Sequence, residues 1–177
     1  MTGLLDFVNR FKVPISITAL FCIPLIVSNI YYLHLINLSM ITIIVVIGLN
    51  ILTGYTGQAS IGHAAFYGIG AYASAIITTR LGISFWIALP VSGIIAAVLG
   101  YAVGRPTLKL RGAYLAIASI GIGEITQLIM INWMSITNGA QGIKSVQPPS
   151  IGGFKLDNDL SYFYLLIIIL SIVYILT

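Results

Sequence analysis

The chain has 177 residues, of which 59% are hydrophobic and only 7% are charged, with a mean hydropathy of +1.07. Since a soluble domain carries about 25% charged residues, this composition excludes an ordinary soluble protein and favours an all-α, polytopic transmembrane helix bundle. The net charge of +4 does not indicate a nucleic-acid partner, because the basic residues lie almost wholly between apolar runs, where membrane topology explains them.

Apolar runs predict about six spans, and they follow one another along the whole chain. The expected spans cover residues 14–33, 35–52, 61–79, 84–103, 113–133 and a sixth from residue 161 onward. Pro90 is expected to kink the fourth span. The sixth is still apolar at residue 177, so we expect the chain to be the amino-terminal part of a longer membrane protein. We treat residues 1–177 as a single transmembrane domain.

The basic residues also predict an orientation in the membrane. Arg10 and Lys12 precede the first span, and three more basic residues lie in the connection from Arg105 to Arg111. The positive-inside rule therefore places the amino terminus in the cytoplasm and residues 134–160 in an irregular external loop.

A polar, glycine-rich segment interrupts the charge-free stretch of residues 13–79. Non-helical backbone at membrane depth survives only where protein or water covers it, so this segment indicates a transport pathway or a tight helix crossing. Gln58, Ser60 and His63 are candidates for the pathway lining. The alternative is that they only satisfy freed backbone groups and neighbouring helices. No metal site is expected, since no second ligand accompanies His63 at ligand spacing, and no cofactor is expected either.

Glu124 is the acidic residue within a predicted span, near the middle of the fifth. A charge at the bilayer centre costs about 2.5–3.5 kcal/mol on insertion scales, so the carboxylate must be paired, hydrated or protonated. It could line a substrate route, anchor a neighbouring helix, or serve as a structural tie without substrate contact. Gly93, Gly100 and Gly104 recur at helix-crossing spacing and are expected to pack helices closely.

Two ordered blocks resemble the LivM-type permeases, which are membrane subunits of branched-chain amino-acid ABC importers. The first block extends from Gly48 to Tyr72 and the second from Leu110 to Ile143. The centre of the first block reads Gly54-Tyr55-Thr56-Gly57-Gln58-Ala59-Ser60-Ile61-Gly62-His63. The second contains Thr137-Asn138-Gly139, where the family more often shows Thr-Gly-Gly, so Asn138 is a departure.

The resemblance implies a permease of the bacterial cytoplasmic, or inner, membrane that moves leucine, isoleucine or valine into the cell by alternating access and is not an enzyme. It also implies three kinds of protein partner: a second related permease, two cytoplasmic ATP-binding subunits and an external substrate-binding protein. We expect no transport without them. Two alternatives stay open, namely a urea or amide permease of the same family and a proton-coupled secondary transporter that uses Glu124.

Overall fold

The structure is a computed structural model, and it describes residues 29–57, 60–107, 110, 113–151 and 154–177. Six α-helices occur in these ranges: α1 (Ile30–Thr56), α2 (His63–Arg80), α3 (Phe85–Thr107), α4 (Ala113–Asn132), α5 (Met134–Thr137) and α6 (Asp159–Leu176). A short 3-10 helix, Gly139–Gln141, follows α5. Strands β1 (Ser150–Ile151) and β2 (Phe154–Lys155) form an antiparallel pair in which Ser150 is opposite Lys155.

Three of the described helices are long and apolar enough to cross a membrane: Ile30–Tyr55, Phe85–Thr107 and Tyr114–Asn132. This confirms the expected helical membrane bundle. Helices α2 and α6 lie where the third and sixth spans were expected, but they do not meet the same criteria of length and hydropathy. The expected first span lies outside the described residues except for positions 29–33, which cap and begin α1 instead. The total of six spans stays a prediction.

The ends of α1 follow from its sequence. The side-chain oxygen of Asn29 accepts a hydrogen bond from the backbone N–H of Tyr31 at 3.0 Å, which caps the helix at its start. At the other end, Gly57 adopts φ +64° and donates its N–H to the carbonyl of Thr53 at 2.8 Å. This left-handed conformation costs glycine little and ends the helix.

The described residues form two compact units. The first unit contains residues 29–47 and Asp157–Thr177. The side-chain amide of Asn37 donates to the backbone carbonyl of Asp159 at 2.9 Å, so the starts of α1 and α6 lie together. From there the two helices run in the same direction around a core of buried apolar side chains, namely Leu33, Met40, Phe163, Leu166 and Ile167.

The second unit, Gly48–Leu156, contains α2, α3 and α4 together with the short elements that follow α4. Helices α2 and α3 are antiparallel, because Gly100 lies against Phe66 while Ala96 lies against Gly70. Helices α2 and α4 are parallel, because Gly62 lies at Ser119 whereas Gly68 lies at Met130, further along both helices. This arrangement agrees with alternating directions for successive spans.

Hydrogen bonds connect the end of α2 and the start of α3 to the residues that follow α4. The guanidinium of Arg80 donates to the backbone carbonyl of Ser135 at 2.7 Å. The indole N–H of Trp86 donates to the carbonyl of Ser150 at 2.9 Å. The segment expected as an irregular external loop therefore contains short ordered elements that are fixed to the helices by side-chain donors.

Candidate functional site

The start of α2 crosses α4 at Gly62, and this crossing organises the candidate site. A Cβ atom added to Gly62 would overlap the carbonyl oxygen of Ser119 and lie 2.9 Å from its carbonyl carbon. On the next turn of α4, a Cβ added to Gly123 would lie 3.7 Å from the Cα of Gly62. The two backbones thus meet where only glycine leaves room, which is the small-residue packing typical of membrane helices.

Ser119 supplies the polar contact at the same crossing. Its hydroxyl accepts a hydrogen bond from the backbone N–H of Ile61 at 3.0 Å and donates to the carbonyl of Ala116 at 2.7 Å. The first N–H groups of a helix have no partner within the helix and need one from elsewhere. Here α4 provides a partner just before α2 begins, and Ser119 itself is buried.

An apolar cavity of about 500 Å³ lies on one side of the crossing, among α2, α3, α4 and the end of α1. Ser60 and His63 line it together with mostly aliphatic side chains and the ring of Phe66. The half-buried imidazole of His63 lies over Gly48, where an added Cβ would be 3.4 Å from Nε2. Gly48 therefore leaves the space that the imidazole fills.

A second space of about 440 Å³, which we call the Glu124 groove, lies on the other side of Gly62 between α2 and α4. Its polar lining includes Glu124, Gln127 and Tyr72, and its small residues include Ala64. Glu124 and Gln127 are exposed and share one face of α4, since residues three positions apart are neighbours on a helix. With the residues that the structure describes, Glu124 makes no hydrogen bond and no ion pair.

The structure therefore distributes the sequence candidates between two compartments. Ser60 and His63 line the apolar cavity, Glu124 lines the groove, and Gly62 borders both. Gln58 lies outside the described residues. In the described ranges, no group of three or more His, Cys, Asp or Glu side chains could hold a metal ion.

The glycines expected to pack helices have different surroundings. A Cβ added to Gly100 would lie 3.6 Å from the ring of Phe66 on α2. At Gly93 and Gly104 an added Cβ would meet nothing within 4 Å. Gly104 lines the apolar cavity, whereas Gly93 lines neither of the two spaces described above. The tightest crossing, at Gly62 and Ser119, was missed as a packing site. The Ser119-x-x-x-Gly123 spacing on α4 is the sequence signal that could have indicated it.

The departure at Asn138 has a backbone explanation. Asn138 adopts φ 60° and ψ 17°, the left-handed region, where glycine is most favourable and asparagine is the best tolerated alternative. Before it, the buried hydroxyl of Thr137 lies 2.6 Å from the carbonyl of Met130 and 2.7 Å from that of Trp133. These bonds fold the chain back on the end of α4, and asparagine preserves the turn.

Comparison with known proteins places these features in a family. The model of the family described as "Branched-chain amino acid transport system / permease component" matches residues 31–177. The chain is 41% identical over 119 residues to the "High-affinity branched-chain amino acid transport system permease protein LivM" of Escherichia coli strain K12, covering 67% of this chain and 28% of that protein.

A similar relation holds for the protein of the same name from Salmonella typhimurium, with 38% identity over 123 residues, 70% of this chain and 29% of the relative. The chain thus spans less than a third of the length of these curated relatives. No solved structure matches it. On the strength of the family match across most of its residues, the chain belongs to the family of branched-chain amino-acid transport system permease components.

Proposed function

We propose that this chain is a membrane-spanning permease part of an ABC importer that moves branched-chain amino acids into the cell. The observation that carries the proposal is the family match over residues 31–177, joined to 41% identity with a relative named as a branched-chain amino-acid permease. The three long apolar helices support a place in the membrane, which we propose to be the bacterial inner membrane. Leucine, isoleucine and valine are the proposed substrates.

The proposed importer takes its energy from partner subunits. It contains a second related permease, two cytoplasmic ATP-binding subunits and an external substrate-binding protein, and this chain does not transport without them. Residues 1–177 act in it as one transmembrane domain. Gly93, Gly100 and Gly104 contribute close packing along α3; Gly93, beside which the described residues leave open space, would receive a neighbouring helix.

Transport is proposed to proceed by alternating access, in which helices rock around a substrate route. The side chains proposed to line this route are those of Gln58, Ser60, His63 and Glu124. Ser60 and His63 lie at or next to the start of α2, where the orientation rule places the cytoplasmic side, and Gln58 precedes them in the sequence. Glu124 is near the middle of α4. The apolar cavity beside His63 offers a surface suited to an aliphatic side chain, and the Glu124 groove offers polar groups for a charged or hydrated one.

The test is uptake by the complete importer in proteoliposomes, with ATP inside or outside the vesicles and with labelled leucine or urea. ATP-dependent uptake of leucine, competed by isoleucine and valine but not by urea, is the expected result. Uptake of urea or short amides, with no uptake of leucine, would show instead that the chain is part of a urea or amide permease. Leucine uptake by this chain in the absence of the ATP-binding subunits would contradict the proposal.

One observation favours a second candidate, the proton-coupled transporter: the exposed carboxylate of Glu124 has no partner among the described residues. Under that alternative, uptake follows the proton gradient, survives ATP depletion and fails in Glu124→Gln. Under the ABC mechanism, dissipating the proton gradient leaves ATP-driven uptake intact. Ile125→Ala is the matched control, because Ile125 is the next residue on α4, is 59% exposed and does not line the groove.

A further inference from the structure

Helix α2 is attached to α4 at its start. There the backbones of Gly62 and Ser119 meet with no room for a Cβ atom, and the N–H of Ile61 donates to the Ser119 hydroxyl at 3.0 Å. Ser119 is buried, so turning the start of α2 away from α4 would take this N–H from its acceptor. Inside a membrane little water is available to replace such an acceptor, so the contact resists opening.

The other end of α2 is attached as well. The guanidinium of Arg80, in the last turn, donates to the backbone carbonyl of Ser135 at 2.7 Å. A hydrogen bond from a charged donor is stronger than one between neutral groups. The two attachments are separated by the 18 residues of α2, which is about 27 Å at 1.5 Å per residue.

Ser135 belongs to a segment that is fixed to the end of α4. The backbone N–H of Trp133 donates to the carbonyl of Ile129 at 2.9 Å, so the helical bonding pattern continues past the last residue of α4. The hydroxyl of Thr137 then lies 2.6 Å from the carbonyl of Met130, which folds the segment back on α4. The acceptor of the guanidinium is therefore held to α4 by hydrogen bonds of its own segment.

Between these two attachments the helices also touch. A Cβ added to Gly68 on α2 would lie 3.5 Å from the terminal methyl group of Met130 on α4. A single contact between two helices is a pivot about which one of them can turn, whereas contacts at both ends and between them fix direction as well as position. Packed interfaces of this kind change between discrete arrangements and do not deform continuously.

We propose that α2 and α4 form one rigid pair that keeps its geometry throughout the transport cycle, and that Arg80 prevents α2 from turning about the Gly62 crossing. The inference rests on the proposed function, which supplies the cycle. Alternating access then proceeds by movement of other helices relative to this pair, while the boundary that Gly62 forms between the two spaces stays in place. Arg80 lines neither space, so it acts as a positioning residue.

The test measures distances between α2 and α4 by dipolar EPR spectroscopy in the complete importer, after Cys22→Ser removes the single native cysteine of the chain. Four exposed side chains that line neither space are replaced by spin labels in two pairs, Tyr67 with Ile117 and Leu81 with Ile129. The first pair reports on the start of α2 and the second on its end.

Distances are recorded without nucleotide and during ATP-driven import of leucine. We expect the mean distance of each pair to change by less than about 2 Å, which is the scale of small shifts between packed helices. A larger change in either pair would overturn the proposal.

Removing the guanidinium gives an independent measurement on the same complex. We expect Arg80→Met to broaden the distance distribution of the second pair at least about twofold while the first pair keeps its width, because α2 can then turn about the Gly62 crossing. Trp86→Phe is the matched control, since it removes a different side-chain bond, from the indole N–H to the carbonyl of Ser150, and should leave both distributions unchanged. Equal distributions in the two variants would overturn the role of Arg80.

These outcomes separate the inference from the proposed function. If the complex imports leucine while either distance changes by more than about 2 Å, the rigid pair is wrong and the function stands. If both distances stay constant on addition of ATP and the complex imports nothing, the rigid pair stands and the function fails.

Discussion

Replacing Gly62 with alanine tests the crossing of α2 and α4 directly. The new Cβ would overlap the carbonyl oxygen of Ser119 and lie 2.9 Å from its carbonyl carbon. Both atoms belong to the backbone of α4, so no side-chain rotation can relieve the overlap. The backbone of Gly62 itself, at φ −81° and ψ 8°, is accessible to alanine, so the effect arises from the contact and not from the local conformation.

The expected magnitude follows from two opposing contributions. Forcing extra atoms into a packed site costs about 1–3 kcal/mol, whereas replacing glycine by alanine reduces the entropy of the unfolded chain and returns roughly 0.4–1 kcal/mol. A net loss of about 1–2 kcal/mol corresponds to a decrease in Tm of about 2–8 °C for a chain of this size. Thermal unfolding of the full chain purified in detergent micelles is the measurement.

Gly121→Ala is the matched control for this experiment. Gly121 lies in α4, and an added Cβ there would meet nothing within 4 Å. Alanine in a helix interior is favoured over glycine by about 0.5–1 kcal/mol, so Tm should stay the same or increase. If Gly62→Ala and Gly121→Ala unfold at the same temperature, the close approach of the two backbones at Ser119 is not a feature of the protein.

Variants at three further positions, with Thr42→Val as a control for one of them, can be measured by the same unfolding assay. Asn138→Gly should be as stable as the wild type or more stable, whereas Asn138→Val should lose about 1 kcal/mol or more, because Asn138 has φ 60°; the reverse order would count against the left-handed turn. Thr137→Val should lose about 1–2 kcal/mol with its buried hydroxyl bonds, against less than about 0.5 kcal/mol for the exposed Thr42→Val. Ser119→Ala should lose about 1–3 kcal/mol, since the N–H of Ile61 loses its acceptor; an unchanged Tm would show that water replaces the hydroxyl.

Hydropathy predicted the existence of the helices well and their ends less well. The fourth span was expected to end at residue 103, ahead of Gly104 and Pro106, yet α3 continues to Thr107. The hydroxyl of Thr107 bonds to the carbonyls of Val103 and Gly104, at 3.0 and 2.8 Å, and so satisfies groups of the last turn. A hydroxyl that donates to carbonyls three and four residues earlier can stabilise a last helical turn that contains Gly104 and Pro106, two residue types that usually end a helix.

The start of the second span was misplaced for a similar reason. His34 interrupts the apolar pattern, so the expected boundary fell beside it, but α1 begins at Ile30. The imidazole of His34 lies 3.4 Å from the carboxylate of Asp159, far away in the sequence. A polar residue can thus lie within a helix when another helix supplies its partner, and hydropathy contains no information about that partner.

The candidate residues were identifiable from the sequence, but their grouping was not. Ser60 and His63 lie close together in the chain, so their shared lining of the apolar cavity follows from local structure. Whether Glu124 faces the same space depends on the register between α2 and α4. That register is set at Gly62 by contacts with Ser119 and Gly123. The spacing of Ser119 and Gly123 marks a packing face on α4, but it does not specify which residue of α2 meets that face.

The position of Gly62 also determines how the two compartments can change. Gly62 lines both the apolar cavity and the Glu124 groove, and its Cα approaches Gly123, the residue immediately before Glu124. A rotation of α2 against α4 that widened one compartment would therefore move a wall of the other, because packed backbones transmit displacement rather than absorb it. Since His63 begins α2 and Glu124 lies on α4, such a rotation would also change the distance between these two side chains. Gly62, which belongs to the polar segment that interrupts the charge-free stretch, thus forms the boundary between the two spaces.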